Sequence, residues 1–138
     1  MGKYIRRGEL YYADLEPVLG SEQGGERPVV VLQNDKGNRY SPTVIIAPLT
    51  TKIVKNALPV HVRIKAPGLR ATSLALLEQI RTIDKQRIRQ YIGAVSEDEM
   101  REIEQATFVS LGINTLVEDE DKNGRNKNRQ SICNEENY

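Results

Sequence analysis

The sequence predicts a small, mainly β fold with one late amphipathic helix packed on it. Three observations carry this. Runs of β-branched and aliphatic residues, Val29-Val30-Val31-Leu32 and Thr43-Val44-Ile45-Ile46, have the length and composition of strands. Turn-forming residues punctuate them at close spacing, the pattern of a small barrel or sandwich. A helical repeat of apolar residues surfaces only after Ser96. No internal repeat is visible.

The elements follow in order. Met1 to Arg7 is a short basic terminus with Lys3, Arg6 and Arg7. Glu9 to Leu15 alternates well enough for a strand, and Pro17, which has no amide hydrogen, helps end it. A polar, Gly-rich loop from Leu19 to Arg27 leads into the strongest strand, Pro28 to Gln33. Asn34-Asp35-Lys36-Gly37-Asn38 reads as a turn. Thr43 to Pro48 is the next strand, with polar groups gathering after it at Leu49-Thr50-Thr51-Lys52. Pro59 to Lys65 alternates cleanly, Val60, Val62 and Ile64 against His61, Arg63 and Lys65, which puts His61 on the exposed face. Pro67-Gly68 marks a turn. Leu74 to Ile80 reads as an apolar strand interrupted by Glu78-Gln79 and continued by Arg81 to Asp84. Lys85 to Arg89 is a short helical turn, and Tyr91 to Val95 a last short strand.

Ser96-Glu97-Asp98-Glu99 is a capping box, in which Ser96 caps the helix and Glu99 reaches back to its amide. Ile103, Ala106, Val109, Ile113 and Leu116 fall on one arc, and Gly112 caps or frays the end. The arc, with Leu74 and Leu76, is expected to bury surface between two subunits. The folded domain is thus expected over residues 1–117. Residues 118–138 are rich in Glu, Asp, Lys, Asn and Arg, too polar to offset their ordering entropy, and read as a disordered tail.

Composition narrows the function. The 138 residues carry 28% charged side chains, yet the formal net charge is only +1, so any polyanion site must be a local concentration of Arg and Lys. One histidine rules out a two-imidazole acid–base pair within one chain, and a His-rich metal site with it. The single Cys133 cannot form an internal disulfide, and no stretch is apolar enough for a membrane span, so a cytoplasmic location is expected. There is neither a Walker-type loop nor a dinucleotide fingerprint.

Chemistry concentrates in three places. Arg27 sits beside the Gly-rich loop, Thr50 at a strand end, and Glu78-Gln79 inside an apolar run, where polar groups are costly unless paired or facing a groove. A guanidinium fork and a hydroxyl donor suit a phosphodiester. Each residue has a plainer structural alternative. Arg27 would pair with Glu22 or Glu26, Thr50 would serve a turn, and the amide of Gln79 would satisfy backbone.

These segments resemble the MazF/PemK family, the toxins of bacterial toxin–antitoxin pairs, and in particular its Gram-positive version. The resemblance rests on Gly20-Ser21-Glu22-Gln23-Gly24-Gly25-Glu26-Arg27-Pro28-Val29-Val30-Val31-Leu32-Gln33-Asn34-Asp35, on Asn38-Arg39-Tyr40-Ser41-Pro42-Thr43 and on Leu77-Glu78-Gln79-Ile80-Arg81-Thr82-Ile83-Asp84-Lys85. It spans about Arg6 to Leu116. It implies an SH3-like or CcdB-type small barrel with a C-terminal helix, a homodimer, and metal-independent, sequence-specific cleavage of single-stranded RNA at short U-, A- and C-containing sequences. It implies catalytic roles for Arg27 and Thr50, no cofactor, and inhibition by a MazE-like cognate antitoxin, through which the complex would bind operator DNA.

Metal-free cleavage uses the 2′-OH of the substrate as nucleophile and leaves a cyclic phosphate and a 5′-OH. Arg27 and Thr50 suit stabilisation of the phosphorane charge. Arg27 stays ionised near neutrality and is a poor proton donor, so its main role is charge stabilisation, with proton donation to the leaving oxygen as the secondary one. Glu22 or Glu78 is the base. Ser21, Gln23 and Gln79 are candidates to read base edges, with Gly24, Gly25 and Glu78 in the same RNA-contacting set. Tyr12 or Tyr40 is available for stacking, and Arg7, Lys52 and Arg81 for neighbouring phosphates. Two rivals belong to other classes. A CcdB-like poison of DNA gyrase needs a C-terminal Trp-Gly-Ile, and this chain has no Trp and ends Glu135-Glu136-Asn137-Tyr138. An inert SH3-like binding module would be indifferent to loss of Arg27 or Thr50.

Overall fold

The computed structural model describes residues 4–52, 58–114, 118–120 and 126–128. Seven strands and one long helix make the body of the fold. They are β1 (Glu9–Asp14), β2 (Glu26–Val31), β3 (Thr43–Thr50), β4 (His61–Ile64), β5 (Ser73–Leu76), β6 (Arg81–Asp84) and β7 (Ile88–Ala94), followed by α2 (Glu97–Leu111). A short helix, α1 (Asp35–Tyr40), lies between β2 and β3. The sheet runs β4-β5-β3-β2-β1-β7, with β6 also on β3, and all its pairs are antiparallel. The ladder does not close, because β4 and β7 do not pair. The expected barrel is therefore a bent, open sheet.

Both faces of the sheet are packed. One cluster joins Leu10, Val30, Ala47, Leu49, Val62 and Ile64 to Ile103 and Ala106 of α2. The other holds Tyr11, Ala13, Val29, Val31, Val44, Ile46 and Ile83. Alternate residues of β2 and β3 thus enter different clusters, which is why these strands are continuously apolar rather than alternating. Tyr11 donates its hydroxyl to Oε1 of Glu9 at 2.9 Å, and burial, helped by that carboxylate, pushes the phenol pKa upward.

Strand β3 organises the molecule. One edge carries β2; the other carries β5 near Thr50 and β6 near Thr43. The pairs Leu49↔Ala75 and Ile46↔Arg81 enclose three more residues on the β5–β6 side than on β3. That excess is looped out as a 3₁₀ turn, Leu77–Gln79. The expected strand Leu74 to Ile80 is therefore broken, and the break sets Glu78 and Gln79 in a kink.

Two other expectations change. Asn34 to Asn38 is not a simple turn. Asn34 Oδ1 accepts from Gly37 N at 2.9 Å, and the segment winds into α1. Leu74 and Leu76 are buried within one chain, as are Ile103, Ala106 and Val109. None of the five is free to form a subunit interface; the helix spends its apolar face on its own sheet. Ile113 lies beyond the helix and is exposed, and Leu116 lies outside the described residues. The capping box is present in both halves, Glu99 N to Ser96 Oγ at 3.1 Å and Ser96 N to Glu99 Oε1 at 2.8 Å. Gly112 closes the helix with a left-handed φ of 69°. The expected tail falls mostly outside the described residues; within it, β8 (Glu118–Glu120) pairs with β9 (Asn126–Asn128). Among the described residues no helix is long and apolar enough to cross a membrane.

Candidate functional site

The β2–β3 register carries Arg27 and Thr50 to the same end of two paired strands. Val29 opposes Pro48, and two residues further out the same antiparallel count sets Arg27 opposite Thr50. The side chains agree. Arg27 Nη1 donates to the Leu49 carbonyl at 3.4 Å, one peptide from Thr50, and Nε donates to the Gly24 carbonyl at 2.8 Å. Neither Glu22 nor Glu26 pairs with it among the described residues. Two N–H groups of the five-donor fork thus fix the guanidinium between loop and strand, and the others are left for a ligand. Thr50 Oγ1 accepts from Lys52 N at 3.1 Å, which leaves its own hydrogen to donate.

The Gly-rich loop is tied down at several points. Gly25 holds a φ of 73°, a left-handed conformation costly for a residue with a Cβ, and its carbonyl accepts from Leu15 N at 3.0 Å. Gln23 N donates to Gln79 Oε1 at 2.8 Å, joining the loop to the β5–β6 kink. Gln79 therefore plays its plain role of satisfying backbone, and its NH₂ group faces the same neighbourhood. Glu22 accepts from Leu19 N, so this candidate base also shapes the loop.

Loop and kink enclose a cleft of about 490 Å³ lined by Ser21, Glu22, Gln23, Glu78, Gln79 and Arg81, with Ile80. Arg27 and Thr50 are not in that lining; they adjoin it through Gly24 and Gln23. Arg81 is half-buried and donates to the Leu15 carbonyl at 3.1 Å. Lys52 is exposed beside Thr50.

Tyr12 and Lys52 do not line this cleft, and Arg7 and Tyr40 lie well apart from it. Arg7 belongs to the far end of β2. Its Nε donates to the Leu32 carbonyl at 3.2 Å, and its Nη2 pairs with Glu104 of α2 at 3.0 Å. Tyr40 ends α1 and lines a different cleft. Conversely, His61 is not the exposed residue that strand alternation predicts. Its side chain is 8% exposed, and Nε2 is 2.8 Å from Oε2 of Glu78, whose side chain is 26% exposed. The β4–β5 register sets His61 against Leu76, one residue before the kink that carries Glu78. No local pattern signals that pairing, because the kink that covers this face is itself a product of tertiary pairing. Among the described residues no group of three His, Cys, Asp or Glu side chains is placed to hold a metal.

Fold and site together define a small, mainly β domain with Arg27 and Thr50 at a strand end beside an amide-lined cleft. Residues 6–110 match the family described as PemK-like, MazF-like toxin of type II toxin–antitoxin systems, and the chain belongs to that family. Solved structures agree. An endoribonuclease from a mycobacterial species is 25% identical, with a TM-score of 0.65 over 80% of this chain and 94% of that one. A mycobacterial endoribonuclease in complex with its cognate antitoxin is 26% identical, with a TM-score of 0.66 over 79% and 96%. MazF from Deinococcus radiodurans is 25% identical, with a TM-score of 0.71 over 80% and 99%.

Proposed function

We propose that this chain is a toxin endoribonuclease that cleaves single-stranded RNA by attack of the substrate's own 2′-OH, without a metal ion. The observation that supports it is the Arg27 guanidinium held between Gly24 and Leu49, one peptide from Thr50, next to the loop that Gln23 ties to Gln79. In-line attack concentrates negative charge on the non-bridging oxygens. Fixed donors at that place lower the barrier because they need no reorganisation as charge develops. Arg27 supplies charge and direction, and Thr50 a neutral donor.

Two protons remain to be moved. A carboxylate takes one from the 2′-OH, and the leaving 5′ oxygen takes the other from water, with Arg27 as the secondary donor. Glu22 and Glu78 both line the cleft, Glu22 bound to its own loop and Glu78 oriented by His61. The Ser21 hydroxyl and the amides of Gln23 and Gln79 are positioned for base edges, as splayed single strands require. The products are a 2′,3′-cyclic phosphate and a 5′-hydroxyl. A cognate antitoxin covering this cleft would block it, and a homodimer would present two copies.

Purified protein in EDTA should cut a long single-stranded transcript at a few sites and leave 5′-hydroxyl ends. Arg27→Ala should cut at least about 100-fold more slowly, the loss typical for one charge-stabilising donor. Arg27→Lys should rescue little, since a point charge cannot make both the Gly24 and Leu49 contacts and reach a phosphate. Cutting that needs added Mg²⁺, or an undiminished Arg27→Ala, overturns the mechanism.

A further inference from the structure

The end of β2 remote from Arg27 carries a second cleft, of about 620 Å³, between the N-terminal segment and α1. Its lining is unlike the rest of the molecule. Arg6, Lys36, Arg39 and Lys85 face it with one carboxylate, Asp35, in a chain whose net charge is only +1. Tyr4 and Tyr40 line it too, 70% and 71% exposed. Each ring already carries a guanidinium on one face. Arg6 lies 5.1 Å from the Tyr4 centroid and Arg39 5.4 Å from that of Tyr40.

The floor is built rather than incidental. Asn38 is 2% exposed, and its amide hydrogens go to the Gln33 carbonyl at 2.8 Å and to Asp35 Oδ1 at 3.2 Å. Its Oδ1 is left without a partner among the described residues. A buried acceptor with nothing to accept is expensive, and an N–H donor would relieve it. Asp35 is held by Arg7 N at 2.7 Å as well as by Asn38, so much of its acceptor capacity is already used. Lys85 donates to the Asn38 carbonyl, which fixes one cation at the rim.

We propose that this cleft is a second single-stranded RNA subsite, in which a base stacks on Tyr40 or Tyr4 and flanking phosphates meet Arg6, Lys36 and Arg39. Exposed aromatics interleaved with cations are the elements of sequence-tolerant single-strand binding. The volume lies in the range of small-ligand clefts. The subsite holds the strand away from the bond that is cut. It extends the RNA-cleaving reading and depends on it only for the choice of ligand.

The test is binding of a fluorescent 2′-O-methyl RNA of about thirty nucleotides, which cannot be cleaved through its 2′ positions, across a salt series. The parent should bind it. Tyr40→Ala should weaken binding about tenfold, the usual loss of one stacked base. Lys36→Ala with Arg39→Ala should lower the slope of log affinity against log salt by about 1.4, roughly 0.7 for each lost phosphate contact on a single strand. All three positions are exposed, so circular dichroism should be unchanged. On a cleavable transcript the same variants should raise KM and leave kcat alone. Variants that bind the RNA as tightly as the parent overturn the subsite. If the parent binds without cutting and the variants lose affinity, the subsite stands and the enzyme reading falls. If the parent cuts and the variants bind normally, the reverse holds.

Discussion

Among single side chains, His61 departs furthest from expectation. It sits on a clean alternating strand, yet its imidazole is enclosed and bound to Glu78. Removing it would open a void and leave a carboxylate short of its donor. His61→Ala should cost about 1–3 kcal/mol, read from urea denaturation. Glu78→Gln should cost less, because the amide keeps an oxygen that can accept from Nε2. Asp35 gives a second residue-level prediction. The Arg7 amide, and then the Asn38 side chain, hold its carboxyl below the ordinary 3.8. A depressed carboxylate pKa contributes stability that is complete above the unfolded value and lost as pH falls through the folded one. The parent should therefore lose stability below about pH 4 that Asp35→Asn does not lose, seen as a smaller drop in urea midpoint between pH 6 and pH 3.

Elements differ in how much of them can be read locally. Helix α2 begins where Ser96 and Glu99 say it must, because a cap is chemistry between residues three apart. Ser96→Ala should cost about 1 kcal/mol, measured by thermal unfolding. Strands β2 and β3 are legible for a similar reason, since β-branched runs have few other uses. The short helix α1 is not, because Asn, Asp and Gly favour caps and turns alike and only the Asn34–Gly37 bond selects between them. The kink at Leu77–Gln79 is not legible either. It exists because one edge of β3 serves two partners whose registers differ. The polar pair Glu78-Gln79 signals a break in the run, but not its shape. The candidate site divides in the same way. Gly24, Gly25 and Arg27 announce themselves as a loop feeding a strand, whereas the placing of Arg27 and Thr50 at the same end of two paired strands depends on cross-strand register.

At the scale of the molecule, the open sheet and its long helix leave few large apolar side chains exposed among the described residues. Leu111 and Ile113, at the end of α2, are 59% and 42% exposed, and Ile45 on β3 is 37% exposed. A dimer, if it forms through apolar contact, must use such residues rather than the buried arc of the helix. Sedimentation at micromolar concentration should give a dimer, and Leu111→Glu should shift it toward monomer without changing the circular dichroism. A monomeric parent would remove the homodimer from the proposed function. The two clefts lie toward opposite ends of β2, so one strand spans the distance from Arg27 to the aromatic, cationic end.

The kink has one more implication, for how this chain can change over evolutionary time. Because side chains on a strand alternate strictly, losing a single residue from Leu77–Gln79 would slide the next strand by one place along β3. Ile83 would turn to water and Thr82 inward, and the deletion would be read as an inside-out segment rather than a shorter loop. Substitutions there can tune what the cleft recognises; changes in length cannot, so the spacing is the more rigid inheritance.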